Sequence, residues 1–480
     1  ILFCLDFFNQ GFLFMKKISV LFFLFVFCGN LFSQTKTTFQ QKKDSILFYY
    51  NSNTKDKLLL KKLKRATELA SEIKDDTLIM QTNVKFGLQS YLKKKTEGLD
   101  VAQKNLNQLY IKTKDSFALA KVYHYKALIH LINVKLDSSI YYYHQSKNIS
   151  ILIKDSLEVG RRLLSMSNIL KNSRDYLGSE ITAIEGIRFL EPIKDTRYLE
   201  SLYIAVGISL DETKKHEEAR RYYQKALEVN KKNPSKSRQK SSQLNIINNI
   251  GRSYINEKNY KTAIPYFLEG LTFKDLEKEF PEQYQLLLGN LSVAYFNLGN
   301  KKVALDGYFK VLKSREKHNF TYSLAISHDV ISYYYYDAKN FEKALFHAKK
   351  SLEYSEKSGN LIRKLNSLSK LSNLETPQKA KIYFRKYIQL NDSLIKNERA
   401  LKNQFARVRF ETDKIDNENK TLKVENYNKQ LEIEQEKQHT ERYKTHYKAL
   451  LKGEQGRKTT LTQYIVYSII IFFFILQISL

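Results

Sequence analysis

The sequence is poor in the residues that end secondary structure elements or crosslink them. Its 480 residues include no Trp, 5 Pro, 16 Gly and 2 Cys. Scarce Pro and Gly argue against folds built from many strands and tight turns, because such turns depend on these two residues. Cys4 and Cys28 precede or lie within a predicted export segment, which excludes disulfides and cysteine metal sites from the mature chain. We therefore expect an all-α protein of long helices.

Basic residues outnumber acidic ones by 80 to 50, which gives a formal net charge of +30. This balance raises the hypothesis of nucleic-acid binding, because Lys and Arg neutralise phosphates. The basic residues are nevertheless spread as singles and pairs between apolar positions, and they form no stripe or tail. The pattern is typical of a solvated surface, and no nucleic-acid partner is predicted.

The N-terminal region has the pattern of an export signal. Residues 1–14 precede the first Met and are interpreted as translated upstream sequence. A Met-Lys-Lys start and the apolar run at 18–27 predict a signal peptide over 15–33, and an uncleaved N-terminal anchor is the alternative. A linker is expected at 34–44.

The C-terminal stretch 461–480 is uncharged and predicts one transmembrane helix, because about 20 helical residues cross a bilayer. Combined with the export signal, it predicts a single-pass protein of the cell membrane whose central region is exported to the periplasm. The membrane is thus a predicted partner, through this C-terminal helix.

A Lys-Asp pair recurs at a spacing of forty residues, each time before an apolar run. The four copies begin at Lys74, Lys114, Lys154 and Lys194. Asp before a helical run accepts hydrogen bonds from the first free backbone N–H groups of a helix. Each copy therefore predicts the start of a helix.

Small residues recur in pairs twelve positions apart, at the places where two antiparallel helices would cross. The residues predicted to pack there are Gly87, Gly207, Ala219, Gly251, Ala263, Ser292, Ala304, Ser332 and Ala344. With weaker copies, the second member of each pair predicts about nine units over 45–395. The markers are residues 59, 99, 139, 179, 219, 263, 304, 344 and 380.

The best copy contains Gly207, Ala219, Tyr223, Ala226 and Pro234. This pattern resembles the tetratricopeptide repeat (TPR), which has small residues at the helix crossing, an aromatic residue in each helix and a Pro after the second helix. The resemblance implies a solenoid of helical hairpins with no cofactor. The units here are near forty residues instead of the usual 34, and the Trp common in the family is absent.

In a solenoid of this kind the first helices of the units line a concave groove, which is the expected site for a protein or peptide ligand. Seven residues are predicted to face it: Asn245, Asn248, Arg252, Asn256, Asp329, Tyr333 and Tyr336. The alternative for each is an ordinary solvated helix position. No catalytic or metal-binding motif occurs, and the nine His are scattered, so we expect no enzyme.

The stretch 396–455 contains the heptad positions Leu401, Val408, Ile415 and Leu422. It predicts a long coiled-coil helix through which two chains could pair, and a single charged stalk is the alternative. The order of signal, repeats, rod and span resembles the extracytoplasmic half of bacterial TPR membrane sensors, without their kinase or LuxR-type output domain. The resemblance implies a ligand-binding sensor module that transmits through the rod. A scaffold for assembling envelope proteins is the alternative.

Overall fold

The computed structural model describes residues 39–53 and 56–479, and in these residues all regular secondary structure is helical. The upstream segment 1–14 and the predicted signal peptide 15–33 lie outside the described residues. The all-α prediction is therefore confirmed for the part of the chain that is described.

The helices follow one another with short turns. Their bounds are α1 (39–50), α2 (Leu59–Glu72), α3 (Asp76–Leu92), α4 (Thr96–Thr113), α5 (Ser116–Ile132), α6 (Leu136–Leu152), α7 (Ser156–Asn172), α8 (Tyr176–Leu190), α9 (Arg197–Glu212), α10 (His216–Asn230), α11 (Lys236–Asn256), α12 (Tyr260–Leu271), α13 (Leu276–Glu279), α14 (Pro281–Asn297), α15 (Lys301–Lys317), α16 (Thr321–Asp337), α17 (Phe341–Ser358), α18 (Leu361–Leu374) and α19 (Pro377–Ser479).

Consecutive helices pack into hairpins that stack in chain order. The first helices are α3, α5, α7, α9, α11, α14, α16 and α18, and each is followed by a second helix. Every unit marker predicted from the sequence lies in a second helix, from residue 59 in α2 to residue 380 in α19. Because each hairpin packs on the next, the apolar faces of both helices are buried along the stack.

Small residues lie where the two helices of a hairpin touch. The hydroxyl of Ser139 in α6 donates to the carbonyl oxygen of Ala127 in α5 at 2.9 Å. Ser332 in α16 donates in the same way to Ala344 in α17 at 2.8 Å. The four predicted alanines of the second helices are fully buried: Ala219, Ala263, Ala304 and Ala344. Side chains of this size let two backbones approach closely.

Three glycines in the first helices, Gly87, Gly207 and Gly251, face an aromatic ring. An ideal Cβ added to Gly207 would lie 2.5 Å from Cε1 of Tyr223 in the same hairpin. Gly87 differs, because its Cβ would meet the ring of Tyr125 at 2.5 Å. Tyr125 belongs to α5 of the next hairpin, and its hydroxyl donates to the carbonyl oxygen of Val84 at 2.7 Å. Gly87 therefore leaves room for a contact between α3 and the next hairpin. The sequence pattern had placed Gly87 at the crossing of the two helices of its own hairpin.

Most turns between helices contain one residue with positive φ; the turns α10–α11, α13–α14 and α18–α19 contain none. Over the first hairpins these residues recur every twenty positions, at Lys74, Lys94, Lys114, Val134, Lys154, Arg174, Lys194 and Lys214, with φ between 53° and 66°. The left-handed conformation ends one helix, and the Asp that follows the Lys at three of these turns caps the next. The repeating Lys-Asp pair thus joins a left-handed turn residue to an N-cap.

Two predicted boundaries differ from the structure. Residues 39–44 of the predicted linker 34–44 are helical in α1, because the stretch lacks Gly and Pro and Gln40 donates to Asp44 at 2.9 Å; residues 34–38 lie outside the described residues. At the other end, the first compact unit extends to Val408, beyond the predicted limit at 395. The reason is that Phe405 is buried in the apolar cluster of the first hairpins.

Two linked predictions are wrong by the criterion of length and hydropathy. They are the transmembrane helix at 461–480 and the single-pass location in the cell membrane. Among the described residues, no helix has an apolar stretch sufficient to span a bilayer. Thr462, Gln463 and Ser468 interrupt the apolar run of α19. The side chains of residues 473–480 lie outside the description.

We expect Gly207→Leu to destabilise the protein by about 1–3 kcal/mol, since the new side chain collides with the buried ring of Tyr223. The matched control is Gly289→Ala in α14, where an added Cβ meets nothing within 4 Å. Alanine should there raise the stability by about 0.5–1 kcal/mol, because glycine weakens a helix interior. Urea unfolding followed by circular dichroism measures both, and equal shifts would contradict the close crossing.

Val134 has a φ of 58° and an exposed side chain. Because a left-handed conformation is costly for a β-branched residue, Val134→Gly should stabilise the protein by about 0.5–1 kcal/mol. Val303→Gly is the control, since Val303 is also exposed but lies within helix α15. The control should lose about 0.5–1 kcal/mol. A lower urea midpoint for Val134→Gly would show that this turn is not left-handed.

Candidate ligand-binding surface

Successive first helices lie closer together than successive second helices. Contacts join α3 to α5, α7 to α9, α9 to α11, α11 to α14 and α16 to α18. In the described part of the chain, no two successive second helices contact each other to a similar extent. The first helices therefore lie on the inside of the curve of the stack. We call the face that they form the inner surface.

Four of the predicted groove residues lie on α11, where they link that helix to its neighbours. Asn256 donates from Nδ2 to Oδ2 of Asp211 in α9 at 2.8 Å. Arg252 lies beside it, with Nη2 at 3.7 Å from Oε1 of Glu212. These contacts fix the position of α11 relative to α9.

The other two residues of α11 connect it to α14. Asn248 is buried, and its Oδ1 accepts from Nδ2 of Asn290 at 2.8 Å. Asn245 accepts a longer hydrogen bond from Gln283 at 3.4 Å. Asn248 is thus a buried link between hairpins.

Asp329 has the same role further along the array. It is buried in α16, and its Oδ1 lies 2.5 Å from Nζ of Lys370 in α18. Arg363, also in α18, lies 3.3 Å from the other carboxylate oxygen. Asp329 therefore holds α16 to α18 through two ion pairs.

The two tyrosines are exposed, but only one lies on the inner surface. Tyr333 is 53% exposed, with Phe296 of α14 at 5.6 Å between ring centroids and Nζ of Lys370 at 5.8 Å from its ring. Tyr336 instead packs edge-on against Phe341 at the start of α17, at 5.8 Å. Tyr336 therefore lies at the end of the hairpin, and Tyr333 is the exposed aromatic residue that the predicted set places on the inner surface.

The position after each crossing residue was missed by the sequence prediction. Along the first helices this position holds, in chain order, Leu88, Leu128, Asn168, Ile208, Arg252, Val293 and Tyr333. Counting one position onward from the small residues would have found it. Apolar, polar and aromatic side chains alternate along this row, without a division into an apolar and a polar part.

A buried ionic cluster lies between the α5–α6 hairpin and helix α7. Glu158 of α7 is buried against Nζ of Lys121 in α5 at 2.9 Å, and it also pairs with Arg161 and Arg162. The guanidinium of Arg162 is almost fully buried and donates from Nε to the hydroxyl of Ser146 in α6 at 2.9 Å. One carboxylate thus serves three cations, which leaves a local excess of positive charge.

The pKa values in this cluster follow from burial and from these charges. Burial lowers the pKa of Lys121 to about 8, although Glu158 opposes the shift. For Glu158, burial raises the pKa, but Arg162, Lys121 and Arg161 outweigh it and hold the pKa at about 2. Burial also lowers the pKa of the neighbouring His124. Glu158 is therefore charged at neutral pH and His124 is neutral.

Two histidines form a second buried polar contact. His328 in α16 and His347 in α17 have their Nδ1 atoms 2.9 Å apart. Burial lowers the pKa of both rings, that of His328 to about 4, so both are neutral at pH 7. The pair supplies two nitrogen ligands at most, and no group of three or more metal-ligand side chains occurs among the described residues.

Comparisons with known proteins agree with this architecture. A family model described as "Tetratricopeptide repeat" matches residues 200–233 and 244–274, which span the hairpins with Gly207 and Gly251. The chain carries tetratricopeptide repeats. A search of curated proteins finds no match to this TPR chain.

Two solved structures share the fold of this TPR chain. The apo form of RapI superposes with a TM-score of 0.55 at 16% identity and covers 75% of this chain and 99% of its own. The apo form of the quorum sensor NprR from B. thuringiensis has a TM-score of 0.52 at 15% identity, with coverage of 75% and 99%. At identities this low, the structural similarity shows a common fold and nothing more.

Proposed function

We propose that the TPR array is a non-catalytic module that binds a peptide or protein segment on its inner surface. The observation that carries the proposal is the exposed ring of Tyr333 on that surface, between Phe296 and Lys370. Tyrosine offers a large contact area with a polar tip at low entropic cost, which suits recognition of a peptide. The neighbouring ion pairs of Asp329 hold α16, the helix of this ring, against α18.

The composition of the inner surface also supports a peptide ligand. Apolar, polar and aromatic residues alternate along the first helices, so an extended chain could place unlike side chains along the surface. NprR, which has a similar fold, is a quorum sensor. By extension, we propose a sensor role for this chain. The array would bind the ligand, and α19, a continuous helix from Pro377 to Ser479, would transmit the binding signal.

Random peptides displayed on phage and panned against the full chain should yield binders of micromolar affinity. We expect Tyr333→Ala to weaken them about tenfold, the loss typical of an aromatic contact residue. Phe346→Ala is the matched control, since Phe346 is as exposed as Tyr333 but lies on the second helix α17. Fluorescence anisotropy measures both. Failure to enrich any peptide, or equal losses for both variants, would refute the proposal.

We further propose that two chains pair through the later part of α19. Leu401 and Val408 are the first two predicted heptad positions. Both pack against an apolar cluster of their own chain, so the proposed pairing of two chains does not include them. Leu422, the fourth position, is exposed, as is Ile433 on the companion seam. Exposed apolar residues at heptad spacing on a long helix are typical of a coiled-coil seam.

Leu422→Cys should form a disulfide between two chains under mild oxidation, because heptad positions of paired helices face each other. Val424→Cys is the control, since Val424 is equally exposed on the opposite side of the helix. Non-reducing electrophoresis, with Cys4 and Cys28 replaced by Ser, reports the crosslink. Equal crosslinking of both variants, or none for Leu422→Cys, would exclude this seam.

A further inference from the structure

The guanidinium of Arg315 in α15 is buried without a carboxylate partner among the described residues. Arg315 is 6% exposed. Its Nη1 donates to the carbonyl oxygen of Ser323 at 3.0 Å and to the hydroxyl of Ser327 at 2.8 Å, both in α16. Its Nε has no partner in the part of the chain that is described. Because proteins generally pair a buried charge with an opposite one, Arg315 leaves an uncompensated positive charge beside α16.

A second cation, Arg363 of α18, lies close enough to act on this charge. Burial, and to a smaller extent the positive charge of Arg363, lower the pKa of Arg315 to about 10. The guanidinium is thus still charged at neutral pH. Arg363 and Lys370 share the carboxylate of Asp329. Three cations therefore surround one carboxylate in this region, which leaves an excess of two positive charges.

This excess of charge reaches the inner surface beside Tyr333. The Nζ atom of Lys370 lies 5.8 Å from the centre of the Tyr333 ring, which is exposed. The side chains of Lys370 and Arg363 are 25% and 31% exposed. Both cations therefore remain partly accessible to a ligand while they hold Asp329.

The inner surface continues from Lys370 into a groove of about 340 Å³ between α18 and the start of α19. Its lining includes Ser369, Asn373, Lys381, Phe384 and Tyr387. Phe384 is exposed and stacks on Tyr387, with 6.4 Å between ring centroids. Asn373 follows Tyr333 by forty residues, so it has the equivalent position in the next first helix. The groove thus adds aromatic area, an amide and a further cation to the surface around Tyr333.

We propose that the ligand of this surface is a peptide segment in which acidic side chains alternate with apolar ones. We call Tyr333, Arg363, Lys370, Lys381 and Phe384 the basic aromatic surface. Side-chain carboxylates would complement its excess of positive charge, and apolar side chains would pack on its two exposed rings. The inference rests on the proposed binding function and names the chemistry of the partner.

The spacing of the cations favours several side-chain carboxylates over one terminal carboxylate. Arg363 and Lys370 are seven residues apart, which is about 10 Å along a helix. Lys381 lies on another helix. Acidic residues spread along an extended segment can approach all three cations, whereas one carboxylate cannot. Asn373 is exposed and offers an amide donor and acceptor that match a peptide backbone, which favours a peptide over a nucleic acid.

Two labelled octapeptides with blocked ends test the proposal. One alternates Glu with Phe or Leu, and the other has Gln in place of each Glu. Fluorescence anisotropy with the full chain should show about tenfold tighter binding of the Glu peptide at low salt, because its carboxylates meet the basic aromatic surface. The difference should shrink at about 0.5 M salt, where exposed charges are screened.

Substitution of Lys381 locates the effect. Lys381→Gln should weaken the Glu peptide about threefold, the loss typical of an exposed ion pair, and leave the Gln peptide unchanged. Lys381→Arg should retain the affinity. Lys310→Gln is the matched control, since Lys310 is also exposed but lies on the second helix α15, and it should change neither peptide.

Equal affinity of the Glu and Gln peptides, or equal losses for Lys381→Gln and Lys310→Gln, would overturn the acidic partner. Two further probes address other anions. They are the Gln peptide with a free C-terminal carboxylate and an oligothymidylate of eight residues. Binding of either probe more tightly than the Glu peptide would also overturn the proposal, as would a lack of binding by every probe.

The results separate this inference from the function proposed above. Phage-derived peptides that need Tyr333 but are not enriched in acidic residues would leave the binding function standing and refute the acidic partner. Binding of the Glu peptide that depends on Lys381 but not on Tyr333 would support the acidic partner, and it would count against the ring of Tyr333 as the contact that carries the proposed function.

Discussion

The structure depends on how closely two helices can approach at their crossing. Where Ser332 meets Ala344, or where Gly207 accepts the ring of Tyr223, the backbones touch because no larger side chain separates them. Close crossing buries the apolar face of each helix, which a single hairpin could not stabilise alone. Contact between successive first helices then follows, and it forms the inner surface on which the proposed function relies.

Small residues at regular intervals predicted the helices well. The unit markers fall in second helices, and the Lys-Asp pairs mark helix starts. Both could be found in the sequence because a close helix crossing, like an N-cap, depends on the type of a single residue. The left-handed turn residues were missed, since Lys and Val are not the residues expected to have positive φ. Only the backbone shows that the period is twenty residues, half of the forty found in the sequence.

The sequence could not show which of the predicted surface residues are buried between hairpins, for a physical reason. Helical periodicity places Asn248 and Asp329 away from the hairpin core, and they do lie there. It carries no information about the next hairpin, whose Asn290, Lys370 and Arg363 bury them. In the same way, heptad spacing of Leu401 and Val408 could not distinguish a partner chain from the array itself. Contacts between units far apart in sequence need the structure.

The positive-φ residues also divide the array into two regular blocks. After Lys214 the spacing changes to Lys258 and Asp275, and it returns to twenty from Gly299 to Gly359. The interval contains the long helix α11 and the four-residue helix α13. Within either block, gain or loss of one forty-residue unit by gene duplication or deletion would keep every turn and crossing residue in phase. The same event across α10 to α13 would not, so growth of such a chain is favoured at its regular blocks.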